Sequence, residues 1–354
     1  MNVSAAKASR DSLNILTGES LRPHNTLALR ARAAAFVAVT SDAQLLVAFA
    51  WARARRLPVV PLGEGSNVVF AGDITALVVR QETRGIQVLE NGTGHVVLRV
   101  AAGENWHALV QWSMARGYYG LENLALIPGT VGAGPIQNIG AYGVELQSVL
   151  LRVHARWIAS DEPVTLDRAS CGFAYRDSIF KRELKDKLVI TAVDLQLSLY
   201  PGVLTNYPAL ASFFQQHPQI EPTPEAVFDA VVSIRRSKLP DPATEPNAGS
   251  FFKNPLVPAR VGGALRERFP LLPTFPQSDG SMKLSAAWMI EHCGWKGLRR
   301  DNLGIHRRHA LVLVNYGNDS GEQLLGLADD IAASVYKMFH VRLEIEPAVY
   351  GART

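Results

Sequence analysis

Residues 247–255 read NAGSFFKNP, with one serine behind a glycine, two bulky rings after it and then a lysine. Two readings of this order are open. In the plainer one, Asn247 and Gly249 bend the backbone into a strand, Phe251 or Phe252 fills a core, and Ser250 is turn chemistry. In the other, a hydroxyl held against a dry aromatic wall beside a cation moves a proton, which requires that its alkoxide be stabilised or reloaded by a neighbour. Two glycine-rich stretches offer a different chemistry. GEGSN at 63–67 brings closely spaced backbone N–H groups, glycines that let a ligand approach, and Ser and Asn side chains, a combination that suits a diphosphate and also an ordinary turn. Residues 127–143, IPGTVGAGPIQNIGAYG, interleave Gly129, Gly132, Gly134, Gly140 and Gly143 with Gln137 and Asn138, so that backbone can wrap closely around a large, flat, polar ligand. The strand-like VVF follows GEGSN where a dinucleotide fingerprint would open a helix, and no GxxxxGK[ST] occurs, which argues against nucleotide hydrolysis in a P-loop.

The elements that must hold these groups follow from periodicity and capping. Residues 41–57 form an amphipathic helix opened by a Ser41/Gln44 capping box, with Leu45, Leu46, Phe49 and Ala52 on one face. Residues 86–100 are a hairpin around Asn91-Gly92, and a helix over 104–116 stops at Gly117. Strands are expected at 149–158 and 188–197, a proline-rich linker at 201–223, and a helix at 224–239 with Thr223 as cap and Pro224 in the first turn. A helix over 281–293, the strand ALVLVN and a long helix opened by Ser320 and Gln323 follow. The chain closes on a strand, 341–349, in which Val341, Leu343 and Ile345 oppose Arg342, Glu344 and Glu346. The expected class is α+β, since strands and helices do not alternate as in a doubly wound sheet.

The 354 residues, 47% hydrophobic and 19% charged, are ordinary globular material for two or three domains. A formal charge of +4, spread over short basic clusters, suits small anionic ligands rather than nucleic acid. Cys171 and Cys293 form no CxxC, so neither a disulfide framework nor a zinc site is implied and a cytoplasmic setting is expected. No run approaches about 18 consecutive apolar residues, as a spanning helix would need. The start, MNVSAAKASRDSLNILTGES, lacks the apolar core of a signal peptide and reads as a variable extension over 1–20.

Taken as an ordered set, LGEGSNVVF, GENWHALVQWSMARGYYGLENLALIPGTVGAGPIQNIGAYGVE, FAYRDSIFK, KLPDP, NAGSFFKNP and the closing LEIE resemble the UDP-N-acetylenolpyruvoylglucosamine reductase (MurB) family, in its type I branch. The resemblance runs from about Leu21 to Gly351. It implies the two-part FAD-binding fold of the vanillyl-alcohol-oxidase type plus a C-terminal α+β substrate-binding domain. The corresponding boundaries are 21–85 for the first FAD subdomain, joined by 342–354, then 86–200 for the second, 201–223 for a linker and 224–341 for the substrate domain. It implies that NADPH reduces FAD and that hydride then passes to the enolpyruvyl double bond, giving UDP-N-acetylmuramate for peptidoglycan synthesis. The partners implied are small molecules, met by a monomer without nucleic acid, metal or membrane insertion.

By motif matching, Ser250 gives the proton, while Arg176 in FAYRDS and Glu346 in LEIE act on the substrate carboxylate and the developing enolate. A planar guanidinium suits that task, the plain alternative being an ion pair of Arg176 with Asp177. A carboxylate beside an enolate must be protonated or shared, so Glu346 is expected to hold its proton tightly and serve as a general acid. The resemblance assigns the cofactor cradle to Gly63, Glu64, Gly65, Ser66, Asn67, Pro128, Gly129, Thr130, Gly132, Gln137, Asn138, Gly140, Ala141, Gly143 and Arg235, and substrate contacts to Tyr175, Tyr207, Lys238 and Asn254. Solvent exclusion by Phe251 and Phe252 and charge from Lys253 stand beside plain packing and a solvated cation. The chain departs from the family pattern at His309, where glutamine is usual, at Ala133 and Gly134, where small hydroxyl residues are common, and at Ala348, a frequently basic position. Two rival readings are an oxidase or dehydrogenase on the same FAD scaffold with another substrate, and a catalytically silent flavin- or sugar-nucleotide-binding protein, which would lack Ser250, Arg176 or Glu346.

Overall fold

The computed structural model describes residues 13–351, so most of the expected N-terminal extension lies outside the described residues. Contacts divide the chain into two units, one of 13–19, Ala33–Glu64 and Thr75–Arg235, the other of Ser20–Arg32, Gly65–Ile74 and 236–351.

The first unit holds two sheets. The smaller orders its strands as Leu16–Ser20, Arg32–Val39, Ile74–Gln81 and Val59–Leu62, the last two parallel. Helix α1 (Asp42–Ala54) packs Leu45, Ala48, Phe49 and Ala52 against Ala35, Val37 and Leu77 of that sheet. Its start is capped by Ser41 as expected, the hydroxyl accepting from the Gln44 N–H at 3.2 Å, while the Gln44 carboxamide reaches back one residue beyond the cap to accept from the Thr40 N–H at 2.8 Å. The larger sheet is antiparallel, in the order Pro163–Asp167, Leu150–Trp157, Leu188–Ser198, His95–Ala101, Ile86–Asn91. The last two strands are the Asn91-Gly92 hairpin, closed by the Gly92 N–H on the His95 carbonyl. Helix α2 (Trp106–Met114), capped by Asn105, shares a core with Val96, Leu98 and Val100.

Two segments of this unit differ from expectation. Residues 127–143 are not plain loop, because Val131–Gln137 winds into a 3-10 helix and Gly140–Ala141 pairs with Val144–Glu145. The expected linker 201–223 carries helix α3 (Pro208–Gln216), with Pro208 at its first turn and Leu210 fully buried. Leu210, Phe213 and Phe214, at i, i+3 and i+4, set one face of this helix against the core, a period that the surrounding prolines obscure in the sequence. Helix α4 (Pro224–Lys238) follows, its first turn accepted by the Thr223 hydroxyl, and sets Val227, Ala230 and Val231 into the same core.

In the second unit, strands Leu256–Pro258, Ser281–Leu284 and Thr274–Pro276 form a small antiparallel sheet beside helix α5 (Ala259–Arg268). The helix expected over 281–293 is therefore shorter. Residues 281–284 pair as strand, and α6 (Ala286–His292) begins only after Ser285, whose hydroxyl accepts from the Trp288 N–H. The main sheet orders Asn247–Ser250, Val312–Asn315, Leu303–Ile305 and Arg299–Arg300, all antiparallel. Leu303, Ile305, Leu311 and Leu313 pack with α7 (Gly321–Phe339) through Leu324, Ala328, Ile331 and Val335. The chain end is a second correction. Residues 341–344 are not strand, Ile345 makes a single bridge to Phe252, and the regular strand is Ala348–Tyr350, parallel to Val68–Phe70. Inside/outside alternation breaks beside Pro347, and Glu346 is turned inward at 8% exposure. Among the described residues no helix is long and apolar enough to cross a membrane.

Candidate functional site

In the first unit the glycine segments are fastened to each other by Glu64. Its carboxylate accepts from Asn105 Nδ2 at 2.7 Å and from the Gly129 N–H at 3.0 Å. The fit is close: a Cβ at Gly63 would lie 2.6 Å from Thr130 Oγ1, and one at Gly132 would lie 2.5 Å from the Ala102 Cβ. Asn138 takes the left-handed conformation at φ 47°, is buried, and donates to Glu145 and to the Ala174 carbonyl while accepting from the Gln147 N–H. Its side chain thus shapes the loop from inside. Pro128 and Gly143 are exposed, and Gln137, Gly140 and Ala141 half-buried, so this wall presents mostly backbone. Gly65, Ser66 and Asn67 belong to the second unit. There Gly65, at φ 68°, accepts the Thr26 N–H and leaves no room for a side chain, its Cβ position falling 2.0 Å from the His24 carbonyl oxygen. Ser66 is half-buried, and the Asn67 carbonyl accepts the Ala348 N–H.

Beside Gly140 the first unit gathers cations. Arg176 sits in a tight turn at φ 53°, where Ala174 and Asp177 exchange backbone hydrogen bonds, and its guanidinium donates to the Gly140 carbonyl at 2.7 Å. Asp177 is bonded by Arg182, which takes up the carboxylate that the plain reading paired with Arg176. Arg235, on α4, has a buried Nε without a hydrogen-bond partner. Burial lowers its pKa, the Tyr142 phenol pulls it up, and the charge of Arg176 lowers it further. Burial raises the pKa of the Tyr142 phenol, Arg235 lowers it and Tyr207 raises it. The Tyr142 and Tyr207 rings meet edge to face at 5.3 Å, Tyr207 being 43% exposed. The Arg176 guanidinium lies 5.6 Å from the Tyr175 ring. The charge of Arg176 disfavours that of Arg235, whose Nε is buried, and a phosphate or carboxylate placed there relieves the repulsion. The packed glycine wall and the orphaned Arg235 Nε fit a flat, anionic cofactor.

In the second unit Asn247 makes the bend ahead of Ser250, its Oδ1 accepting from the Gly249 N–H at 2.8 Å and its Nδ2 donating to the carbonyls of Pro240 and Glu245. Phe251 and Phe252 are both fully buried, edge to face at 5.6 Å, so for them the packing reading describes the molecule. Ser250 is half-buried and pairs with Val312. The Phe251 carbonyl accepts the Glu346 N–H at 2.9 Å, and the Glu344 carbonyl accepts the Lys253 N–H at 2.9 Å. Glu346 is thus seated opposite Phe251, one residue on from Ser250, on two hydrogen-bonded segments. The Lys253 ammonium bonds Glu344 at 3.2 Å. Asn254 Oδ1 accepts the Ala286 N–H at 3.0 Å and so holds the start of α6, and Lys238 is exposed. One residue that the motifs did not single out stands here too. His306 is 1% exposed, and neither ring nitrogen has a hydrogen-bond partner. Its only sequence signal is a histidine at the head of the basic HRRHA turn. Among the described residues no group of three or more His, Cys, Asp or Glu side chains is placed to hold a metal.

Comparison with known proteins identifies the family. Residues 33–156 match the family model described as FAD binding domain, and residues 241–350 match that of the UDP-N-acetylenolpyruvoylglucosamine reductase C-terminal domain. A UDP-N-acetylenolpyruvoylglucosamine reductase of Chromobacterium violaceum is 48% identical over 330 residues, 93% of this chain and 97% of that protein. One of Pseudomonas putida is 45% identical over 331 residues, 94% of this chain and 97% of that protein. The crystal structure of UDP-N-acetylenolpyruvylglucosamine reductase (MurB) from Thermus caldophilus superposes with a TM-score of 0.65 at 22% identity, covering 96% of this chain and 99% of that one, which shows the shared fold. The architecture is α+β, the two-part FAD-binding fold of the vanillyl-alcohol-oxidase type followed by a C-terminal α+β domain. The chain belongs to the UDP-N-acetylenolpyruvoylglucosamine reductase family.

Proposed function

We propose that this chain is an NADPH-dependent, FAD-containing reductase that converts the enolpyruvyl group of UDP-N-acetylenolpyruvoylglucosamine into the lactyl ether of UDP-N-acetylmuramate, a peptidoglycan precursor. The observation that carries the reading is a half-buried Ser250 on the same short segment whose next residue, Phe251, bonds the backbone of a buried Glu346, in a chain whose relatives match it almost end to end under that reductase's name. Gly63, Glu64 and the 128–143 wall, with Gly65 to Asn67, would hold FAD, and Arg235 would meet a phosphate or carboxylate. When bound, FAD carries hydride from NADPH to the terminal carbon of the enolpyruvyl group.

The chain's own residues then have a proton and a charge to manage. Hydride addition leaves negative charge on the neighbouring carbon, shared with its carboxylate. Arg176 presents a planar cation to that charge, already oriented by its bond to the Gly140 carbonyl. Ser250 Oγ gives its proton to the neighbouring carbon, and Glu346 shares a proton with the growing enolate as general acid. Tyr207, Tyr175, Lys238 and Asn254 are assigned to the sugar nucleotide. The enzyme would act as a cytoplasmic monomer on small molecules.

The test uses the purified full chain. It should be yellow, release FAD on boiling, and oxidise NADPH only when the enolpyruvyl substrate is added. Oxygen-dependent turnover of an alcohol or hydroxy acid, with NADPH unnecessary, would move the assignment to an oxidase on the same scaffold.

A further inference from the structure

Val312 is the centre of a row that crosses the main sheet of the second unit. On one side it pairs with Ser250. On the other its carbonyl accepts the His306 N–H at 2.8 Å, one step beyond the Ile305–Leu313 pair. Residues paired directly across an antiparallel sheet project to the same face. Ser250 and the fully buried Val312 therefore share the face opposite to Leu311 and Leu313, which pack in the hydrophobic core, and His306 closes the row at the start of the turn, its N–H on the Val312 carbonyl while the Val312 N–H turns to the His309 carbonyl. Such neighbours are about 4.5–5.5 Å apart at Cα, so the serine and the histidine are separated by about 10 Å of backbone.

His306 is the unusual member of the row. A neutral imidazole has one donor and one acceptor, and buried polar atoms are rarely left unbonded without a functional cause. Here both nitrogens are buried and unbonded. The Glu245 carboxylate stands 3.8 Å from Nε2 and is itself 39% exposed, so it reaches solvent where the ring does not. Burial lowers the pKa of the imidazole, Glu245 raises it, and Arg308 and Arg307 lower it, which favours a neutral ring between turnovers. Ser250, meanwhile, has a debt to settle in every cycle, because a serine that has given up its proton is a strong base in a half-buried position.

We propose that Glu245 and His306 form the route by which protons from solvent reload Ser250 past Val312, an inference that rests on Ser250 being the proton donor. As the Ser250 O–H bond breaks and a C–H bond forms on the substrate, an intervening water protonates the alkoxide. That water recovers its proton from Nδ1 of His306, and Nε2 accepts one that Glu245 has taken from solvent. One proton enters from solvent, one reaches the serine, and the ring is left neutral as the Nε2–H tautomer, which a turn of the ring resets before the next cycle. His306 acts through Ser250 and does not itself touch the substrate.

The experiment follows the two half-reactions of the FAD-loaded full chain by rapid-mixing absorbance. His306→Gln should leave flavin reduction by NADPH unchanged and slow flavin reoxidation by the enolpyruvyl substrate at least about tenfold. Glu245→Gln should show a smaller slowing of the same half-reaction. In His306→Ala, added imidazole and methylimidazoles should restore reoxidation with a rate that tracks the pKa of the added base, a response no packing role would give. Normal reoxidation in His306→Gln while Ser250→Ala is slow overturns the route and leaves the serine assignment standing. A Ser250→Ala protein that reoxidises at the parent rate overturns the serine assignment itself. Equal slowing of both half-reactions, or no rescue by imidazole, makes His306 structural and overturns the route. If His306→Gln does not fold, Glu245→Gln decides, since its carboxylate is partly exposed and normal rates there are fatal to the proposal.

Discussion

The two units arrive at chemistry by opposite means. In the first, the candidate groups come from positions scattered between Gly63 and Arg235, and they are held by side chain to backbone bonds: Glu64 to Gly129, Arg176 to Gly140, Asn138 to Ala174. In the second, Ser250 and Glu346 are delivered by one short run of backbone pairing, 251–253 against 344–346. A wall made of backbone is lost when a single methyl group intrudes. A hydroxyl presented by a ladder survives such intrusion nearby and is lost when one oxygen is removed. The first unit is therefore fragile in shape and the second in atoms.

The sharpest test of that contrast is Ser250→Ala. Flavin reduction by NADPH should stay near the parent rate, while reoxidation by the enolpyruvyl substrate should fall by about 10²–10⁴, the usual range for a lost proton donor. The melting temperature should hardly move, because Ser250 has little packing to lose compared with Phe251. Equal slowing of the two half-reactions would contradict the assignment. Next in size is Gly132→Ala. Its methyl group would sit 2.5 Å from the Ala102 Cβ and 3.2 Å from the Ala102 carbonyl oxygen, so the 128–143 wall must shift. Overpacking of this kind costs about 1–3 kcal/mol. Titration of the apoprotein with FAD should show affinity weakened by roughly 10- to 100-fold. Unchanged affinity would mean that this wall does not hold the flavin.

What was legible in advance divides along the same line. Ser41 with Gln44, Asn91-Gly92, Thr223 ahead of Pro224, and Ser320 with Gln323 were readable because a cap or a turn is settled by residues within one turn of each other. The strand at 281–284 and the irregular 341–346 were not, since each is decided by a partner distant in sequence, Leu256–Pro258 in one case and Phe251–Lys253 in the other. Glu346 shows the cost of extrapolation, as alternation read from Val341 to Ile345 puts it outside and the backbone beside Pro347 puts it inside. Glycine content announced a close-fitting wall, but not that Glu64 and Asn138 would serve as its internal struts. His306 carried almost no signal, because what marks it is a pair of unbonded nitrogens in a buried place, and neither burial nor partnership is written in a five-residue turn.

Asp194 probes the first unit away from its glycine wall. Burial alone would lift its pKa, yet hydrogen bonds from Arg99 and His154, with their charges, hold it below the usual carboxylate range. A depressed pKa in the folded state means stabilisation that is full above the unfolded value and disappears as pH falls through the folded one. Asp194→Asn should therefore cost about 2–3 kcal/mol near neutral pH, less than a fully enclosed pair because Arg99 is partly exposed. The gap in melting temperature between the two proteins should close below about pH 4. A gap that persisted in acid would assign the loss to packing.

The smallest effect is expected at Lys253, and it bears directly on how Ser250 is served. If the lysine charge helped the serine, Lys253→Met would slow reoxidation as a weaker copy of Ser250→Ala. The ammonium is instead bonded to Glu344, a carboxylate 75% exposed, where an ion pair is screened and stabilises by less than about 1 kcal/mol. Methionine keeps the aliphatic stem and its packing while removing the charge. The Lys253 N–H bond to the Glu344 carbonyl, which helps keep the 344–346 segment in register, belongs to the backbone and survives the substitution. Reoxidation should stay within about twofold of the parent, since a screened surface pair is of that order. A tenfold loss, with flavin reduction intact, would show that the charge reaches Ser250 after all, and that the second unit works through its field as well as through a single oxygen.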